Sequence, residues 1–327
     1  MDWTREPERL CGVGFLLLRR FAALSFFAAY EPLRVVNVLS GKTLTRSLIL
    51  SVDGNPVQAE SGMQIIPDAS IADVSDLPIV VVCSGFEPVA SINDALKSWL
   101  WRQDQTGTII GALGSGCHVL AECGLLKSNT VTMHWEFMPA FSESYPHVSV
   151  SQHLFEVGDR RFFCAGGTAG LDFIVHIVAK MHGKDLALAL SEQFVHEPLR
   201  GPSDSQPTDL CGRVGVHSSA VRSVVRMMEG NLEHPLNIDE LAAGASVSRR
   251  QLERLFVKHI GQTPIQFYLG LRIGHAQRLL RQTDMRVVDV ATACGFNSVS
   301  HFSRSYRASV GRSPQNDRVW LAERATA

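Results

Sequence analysis

Ser248-Arg249-Arg250-Gln251-Leu252-Glu253-Arg254-Leu255-Phe256, followed by Gly261 and Thr263-Pro264, recurs later in the same chain. The second copy reads Ser298-Val299-Ser300-His301-Phe302-Ser303-Arg304-Ser305-Tyr306, followed by Gly311 and Ser313-Pro314. Ser248 matches Ser298, Leu252 matches Phe302, Arg254 matches Arg304, Phe256 matches Tyr306, Gly261 matches Gly311 and Pro264 matches Pro314, all at an offset of 50. Self-similarity at a fixed spacing marks a duplicated structural unit. Each copy is preceded by a short helix-like piece, Leu241-Ala242-Ala243 or Val290-Ala291-Thr292, and by a turn carrying Gly244 or Gly295. The reading is helix, tight turn, helix, made twice.

In each second helix a Ser stands where an N-cap belongs, and the apolar pairs Leu252/Phe256 and Phe302/Tyr306 fall at i, i+4 on one buried stripe. Arg249, Arg250, Glu253 and Arg254 in one copy, and Ser300, His301 and Arg304 in the other, are left on the solvent side. That inventory suits a major-groove reader: Arg grips guanine through two hydrogen bonds, Glu accepts from cytosine, and Ser or His reaches base edges or phosphates. Two such helices on one domain serve successive major grooves when they stand about 34 Å apart. Double-stranded DNA is the expected partner.

The charge distribution agrees. From Arg213 to Ala327 there are 16 Lys and Arg against 9 Asp and Glu, a balance of +7, which leaves 15 against 23, or −8, for residues 1–212. A basic part that meets a polyanion and an acidic part that does not is the natural inference. The length of 327 residues and 45% hydrophobic content are enough for two cores. The apolar start at Val13 to Leu18 is interrupted by Arg19-Arg20, so neither a membrane span nor a secretory signal is read. Seven scattered cysteines without paired spacing fit reduced thiols in the cytoplasm, with no disulfide framework and no metal site.

Residues 13–18, 79–83 and 108–113 are short apolar runs, and Leu24 to Leu39 and Ile92 to Arg102 have helical spacing. Strands alternating with helices predict a largely parallel, doubly wound α/β sheet in the N-terminal part, with ligands bound beyond the carboxyl ends of its strands. From Leu199 to Asp209 turn formers dominate, and beyond them the pattern is helical. The expected division is 1–198 α/β domain, 199–214 linker and 215–320 all-α domain with two helix-turn-helix motifs. Gly111-Ala112-Leu113-Gly114-Ser115-Gly116-Cys117-His118-Val119-Leu120-Ala121 reads as strand, sharp turn, helix, the kind of elbow on which α/β enzymes mount a nucleophile.

The repeat, together with Leu271-Arg272, Ala276, Leu279-Leu280, Gly295-Phe296-Asn297-Ser298 and Gly311-Arg312-Ser313-Pro314, resembles the AraC/XylS family of transcription factors. That resemblance implies a seven-helix domain in which the helices starting near Ser248 and Ser298 read DNA, joined by a long helix from about Pro264 to Gln282. Glu31-Pro32-Leu33-Arg34, Ser84-Gly85, the elbow, Cys123-Gly124-Leu125-Leu126, Thr132-Met133-His134-Trp135-Glu136 and Ala165-Gly166-Gly167-Thr168-Ala169-Gly170-Leu171-Asp172 resemble the class I glutamine-amidotransferase-like domain of the PfpI type, a flavodoxin-like fold. The fusion is similar to the GlxA-like regulators, some of which sense arginine, carnitine or glycine betaine.

In catalytic members of the PfpI type the elbow residue is Cys, and Gly114 stands in its place here, so no catalytic residue and no cofactor are expected. Cys117, three residues on, is expected to pack as a small apolar side chain. What remains is a binding pocket. Backbone N–H groups of Gly114, Ser115 and Gly116 suit a carboxylate, with Gly85 alongside; Trp135 offers a ring face, Glu31 or Glu136 a charge to an ammonium group, and His134 is a further candidate for the pocket. For Trp135 a place in the core, for His134 a structural hydrogen bond and for Glu136 a surface position are the competing readings, while Glu31 sits where the resemblance puts a pocket carboxylate. A transcriptional activator is implied, with a small amine or amino-acid effector, RNA polymerase and a second copy of the chain as further partners. A dimerisation platform without a ligand, or a retained amidase or protease activity, are the alternatives for the first domain.

Overall fold

The computed structural model describes residues 12–75, 77–126, 129–197, 200–206 and 218–326. The chain divides into two compact units, Met1–Gln206 and Pro207–Ala327.

In the first unit the strands are β1 (Gly12–Leu17), β2 (Arg46–Ser51), β3 (Val57–Gln58), β4 (Gln64–Ile65), β5 (Ala69–Ser70), β6 (Ile79–Ser84), β7 (Ile109–Gly114), β8 (Thr130–Val131), β9 (Ser149–Val150), β10 (Phe155–Val157) and β11 (Arg161–Cys164). The helices are α1 (Ala23–Ser40), α2 (Asp94–Gln105), α3 (Gly116–Glu122), α4 (Met138–Ser144), α5 (Ala169–His182) and α6 (Lys184–Gln193). Seven strands form the main sheet in the order β10-β11-β7-β6-β1-β2-β5, parallel throughout except that β10 runs against β11. Taking β1, β2, β6, β7 and β11 as the frame, the order is second, first, third, fourth, fifth, which is the flavodoxin-like doubly wound arrangement.

The apolar runs lack alternation because both faces are covered, as in parallel sheets generally. Val81 and Leu113 pack with Phe26, Val36 and Ile174 on one side, while Val82 and Ile110 pack with Trp99, Leu100 and Val119 on the other. The strand order reverses at β1, flanked by β2 and β6, and the chain leaves β1 and β6 over a shared crevice at their carboxyl ends.

The segment expected to open the linker belongs instead to this unit. Arg200 donates to the Asp172 carboxylate through Nε at 3.1 Å and Nη2 at 2.5 Å. Gln206 donates to the Met133 carbonyl at 2.8 Å and accepts from the Trp135 N–H at 2.9 Å. A composition with little to bury is fastened by polar contacts to residues 28 to 73 positions away, which no local pattern reveals. The rest of the expected linker, residue 199 and residues 207–214, lies outside the described residues.

The second unit consists of α7 (Ser219–Glu229), α8 (Ile238–Gly244), α9 (Arg249–Ile260), α10 (Pro264–Gln282), α11 (Val287–Ala293), α12 (Val299–Val310) and α13 (Pro314–Thr326), seven helices among the described residues. Ser248 and Ser298 cap α9 and α12 by accepting from the N–H groups of Gln251 and His301, and Thr263 with Gln266 forms a capping box at α10. α10 has 19 residues and runs between the two halves, a length of about 28 Å at the helical rise.

The two turns differ from expectation in one respect. Their left-handed residues are Ser246 (φ 55) and Gly295 (φ 70), so in this part the repeat runs at an offset of 49 and Gly244 is the last residue of α8. Gly244 is small for another reason: a Cβ there would lie 2.4 Å from Cε of Met227 on α7. Gly295 meets both demands, since a Cβ on it would stand 2.6 Å from the Leu232 carbonyl oxygen and 2.6 Å from Pro235 Cδ.

Candidate functional site

The second helix of each repeat is twelve residues long and divides cleanly. Leu252, Phe256, Phe302 and Tyr306 are buried, whereas Arg249, Arg250, Arg254, Ser300, His301 and Arg304 are exposed and Glu253 is half-buried. Arg250 and Arg254 stand one turn apart, as do Ser300 and Arg304, so each helix presents a continuous polar ridge. Arg249 donates to Glu253 at 3.1 Å, and these two charges compensate each other. Arg250, Arg254 and Arg304 have no carboxylate partner among the described residues, which leaves three guanidinium groups available to an external anion or base.

The exposed ridge also contains Gln251 and Val299, which the sequence reading did not single out; their position in the first turn after each Ser cap was the available signal. His301 is braced edge-on against the buried Phe296 ring at 5.6 Å. A side chain held in this way loses less freedom on binding.

In the first unit, the turn from β7 into α3 is sharp at Gly114, whose φ is +64. A Cβ there would lie 3.1 Å from the Ser84 carbonyl oxygen, a tight contact on left-handed backbone that favours glycine, and glycine supplies no nucleophile. Ser115 donates its hydroxyl to the Gly85 carbonyl at 2.5 Å, and the place of a side chain on Gly116 is taken by the Val82 carbonyl oxygen, 2.4 Å from an added Cβ. Cys117 is buried and its thiol points to the Thr132 carbonyl at 3.2 Å; burial pushes its pKa up, away from the thiolate a nucleophile needs.

The elbow gathers Gly85, Gly114, Ser115 and Gly116, and the His134 N–H donates to the Gly114 carbonyl at 3.4 Å. His134, Trp135 and Glu136 are half-buried beside it. Gly114, Ser115 and Gly116 are themselves buried.

Glu31 is not part of this group. It bonds Arg34 at 2.7 and 2.9 Å on the outer side of α1 and is 38% exposed. The α1 side chain at the elbow is Ser25, which accepts from the Gly167 N–H at 2.7 Å and borders Gly166, which in turn touches Gly114. Six residues separate Ser25 from Glu31, a rotation of about 240° beyond a full turn, which carries Glu31 to another face of the helix.

Residues 241–318 match the helix-turn-helix domain model and residues 21–180 match the DJ-1/PfpI family. The HTH-type transcriptional regulator CdhR of Pseudomonas aeruginosa is 45% identical over 313 residues, covering 96% of this chain and 93% of that relative. The chain belongs to the AraC-type transcriptional regulators that carry a DJ-1/PfpI domain. The HTH-type transcriptional regulator GlxA of Rhizobium meliloti is 34% identical over 96% of the regulator and 97% of its own length. A crystal structure of an AraC family transcriptional regulator from Pseudomonas putida covers 56% of the regulator and 98% of that chain at 25% identity and a TM-score of 0.50. DNA is thus the partner of this AraC-type regulator through its second unit, and its first unit has the DJ-1/PfpI fold. Among the described residues no helix is long and apolar enough to cross a membrane.

Proposed function

We propose that the regulator reads two successive major-groove segments through α9 and α12, activates transcription by contacting RNA polymerase, and does so in response to a small amine or amino-acid-derived metabolite bound by its first unit in the cytoplasm. The observation that carries the DNA reading is the pairing of two capped, solvent-facing helices with Arg250, Arg254 and Arg304 free of carboxylate partners among the described residues. Arg254 and Arg304, at equivalent places in the repeat, are the base readers, with Arg250, Ser300 and His301 beside them. Effector binding acts by population shift, favouring the arrangement of the two units that engages promoter DNA productively. The first unit works without catalysis, because the elbow residue is Gly114 and the Cys117 thiol is buried and protonated.

The regulator acts as a homodimer. Leu24, Phe27, Glu31, Arg34 and Val38 follow one another at spacings of three and four on the exposed side of α1, with Leu24 62% and Val38 67% exposed. Two copies of α1 laid antiparallel about a two-fold axis set Leu24 against Val38 of the other copy, with the Glu31–Arg34 pairs at the centre. The same seam supports the second reading, a first unit that only dimerises.

The test is selection of DNA sites by the full chain from a random pool, followed by titration at several salt concentrations. The expected result is a repeated half-site of two elements about one helical turn apart, with affinity falling steeply as salt rises. Enrichment of no sequence would overturn the reading.

A further inference from the structure

The crevice where the strand order reverses holds an open cavity of about 440 Å³, within the usual size of small-molecule sites. Its walls are the end of β1, the stretch from Ser51 at the end of β2 to Gln58 on β3, Gln64 on β4, and the loop between β6 and α2. This is the carboxyl end of the sheet, where doubly wound folds hold ligands. At the nearby elbow Gly114, Ser115 and Gly116 are buried.

The lining is polar and carries both signs of charge: Arg19, Asp53, Asn55, Gln58, Gln64 and Asn93 all border the space. The side chains of Arg19, Gln58 and Gln64 have no hydrogen-bond partner among the described residues. Asn55 donates to both oxygens of Asp53, at 3.0 and 2.8 Å, which fixes that carboxylate and holds it below its ordinary pKa. The walls are tied together, since the Arg20 N–H donates to the Gln58 carbonyl at 2.7 Å and the Arg20 guanidinium pairs with Glu87 at 3.3 Å. Arg20 and Glu87 both adopt left-handed backbone, with φ of 61 and 59, a strained conformation for side-chain-bearing residues and one that clusters at ligand sites. A second cavity, about 60 Å³ under the sheet and lined by side chains such as Val13, Leu33 and Phe162, is apolar and too small for such a ligand.

We propose that this crevice is the effector site and that it takes an amino-acid-like zwitterion, with Arg19 receiving the carboxylate and Asp53 the ammonium group. The proposal rests on the first unit being a sensor. Gln58, Gln64 and Asn93 flank the two charges and supply the amide contacts that set the size and polarity of the ligand's side chain.

The test titrates the full chain with free α-amino acids and their N-methylated betaines, one at a time, by calorimetry and thermal shift, with simple alkylamines and simple carboxylates as single-charge controls. At least one zwitterion is expected to bind saturably, and the controls are expected to bind far more weakly. Arg19→Gln and Asp53→Asn are surface changes expected to keep the unliganded melting temperature, and each should raise Kd at least about tenfold through loss of a charged hydrogen bond. Binding that survives both crevice variants would refute the site and leave the sensor reading standing. Binding by an alkylamine and by no zwitterion would overturn the site and leave the sensor reading standing, absence of binding by every compound would overturn both, and DNA selection by the same preparation reports separately on the second unit.

Discussion

The Arg272 guanidinium lies 4.1 Å from the centre of the Phe296 ring. From that position Nε donates to the Cys294 carbonyl at 2.7 Å and Nη2 to the Gly295 carbonyl at 2.7 Å. One side chain of the central helix α10 therefore satisfies two carbonyls at the end of α11 and covers the ring against which His301 is braced. Arg272→Ala is expected to destabilise the second unit by about 2 to 4 kcal/mol, summing lost charged hydrogen bonds and the ring contact. Denaturant unfolding followed by tryptophan-independent circular dichroism checks this, and a loss under about 1 kcal/mol would mean the turn holds itself.

Arg254→Ala and Arg304→Ala should each cost about 1 to 3 kcal/mol of specific DNA affinity and relax base preference at one position. Arg249→Ala should cost less and leave preference unchanged, because Arg249 is already neutralised by Glu253 at 3.1 Å. Site-by-site competition binding decides the matter, and the ranking fails if Arg249→Ala relaxes preference more than Arg254→Ala.

Val299 is 41% exposed in the first turn of α12, where the first repeat has Arg249. An exposed branched side chain on a reading ridge suits the 5-methyl group of thymine. Replacing thymine by uracil across the selected site should weaken binding at one position by roughly 1 kcal/mol, and Val299→Ala should abolish that sensitivity. Uniform insensitivity to uracil removes Val299 from the readers.

The His118 imidazole is pushed down to about 4 from its ordinary 6.5, chiefly by burial among Phe137, Phe141 and Tyr145. Between those two values the unfolded chain binds a proton that the folded chain does not, so the contribution is fully present above pH 6.5 and is lost as pH falls toward 4. Its size is up to roughly 3 kcal/mol. His118→Phe should flatten the acid limb of the first unit's stability profile between pH 6.5 and 4. An unaltered slope would assign the acid sensitivity elsewhere.

Residues 248–264 and 298–314 were legible because everything that defines them is local. A Ser cap acts on an N–H three residues away, an apolar pair repeats every four residues, and the Gly261 and Gly311 caps close the same helices, with φ of 79 and 84. The parallel sheet was legible for a related reason, since strands covered on both faces, as β6 and β7 are, must be apolar along their whole length.

The remainder depended on long-range packing. The sequence alone established two units, a duplicated helix-turn-helix and an elbow whose residue, Gly114, has no nucleophile. Only the tertiary structure decided that Ser25 and not Glu31 faces the elbow, that Ser246 takes the left-handed turn position, and that Arg200 to Gln206 belong to the first unit. It also decided that Gly114, Ser115 and Gly116 are buried while an open polar space lies at the ends of β1 and β2. The physical reason is common to all four: each is set by which distant residues occupy the neighbouring volume, as Asp172 does for Arg200, and such neighbours leave no period, cap or composition in the segment they hold.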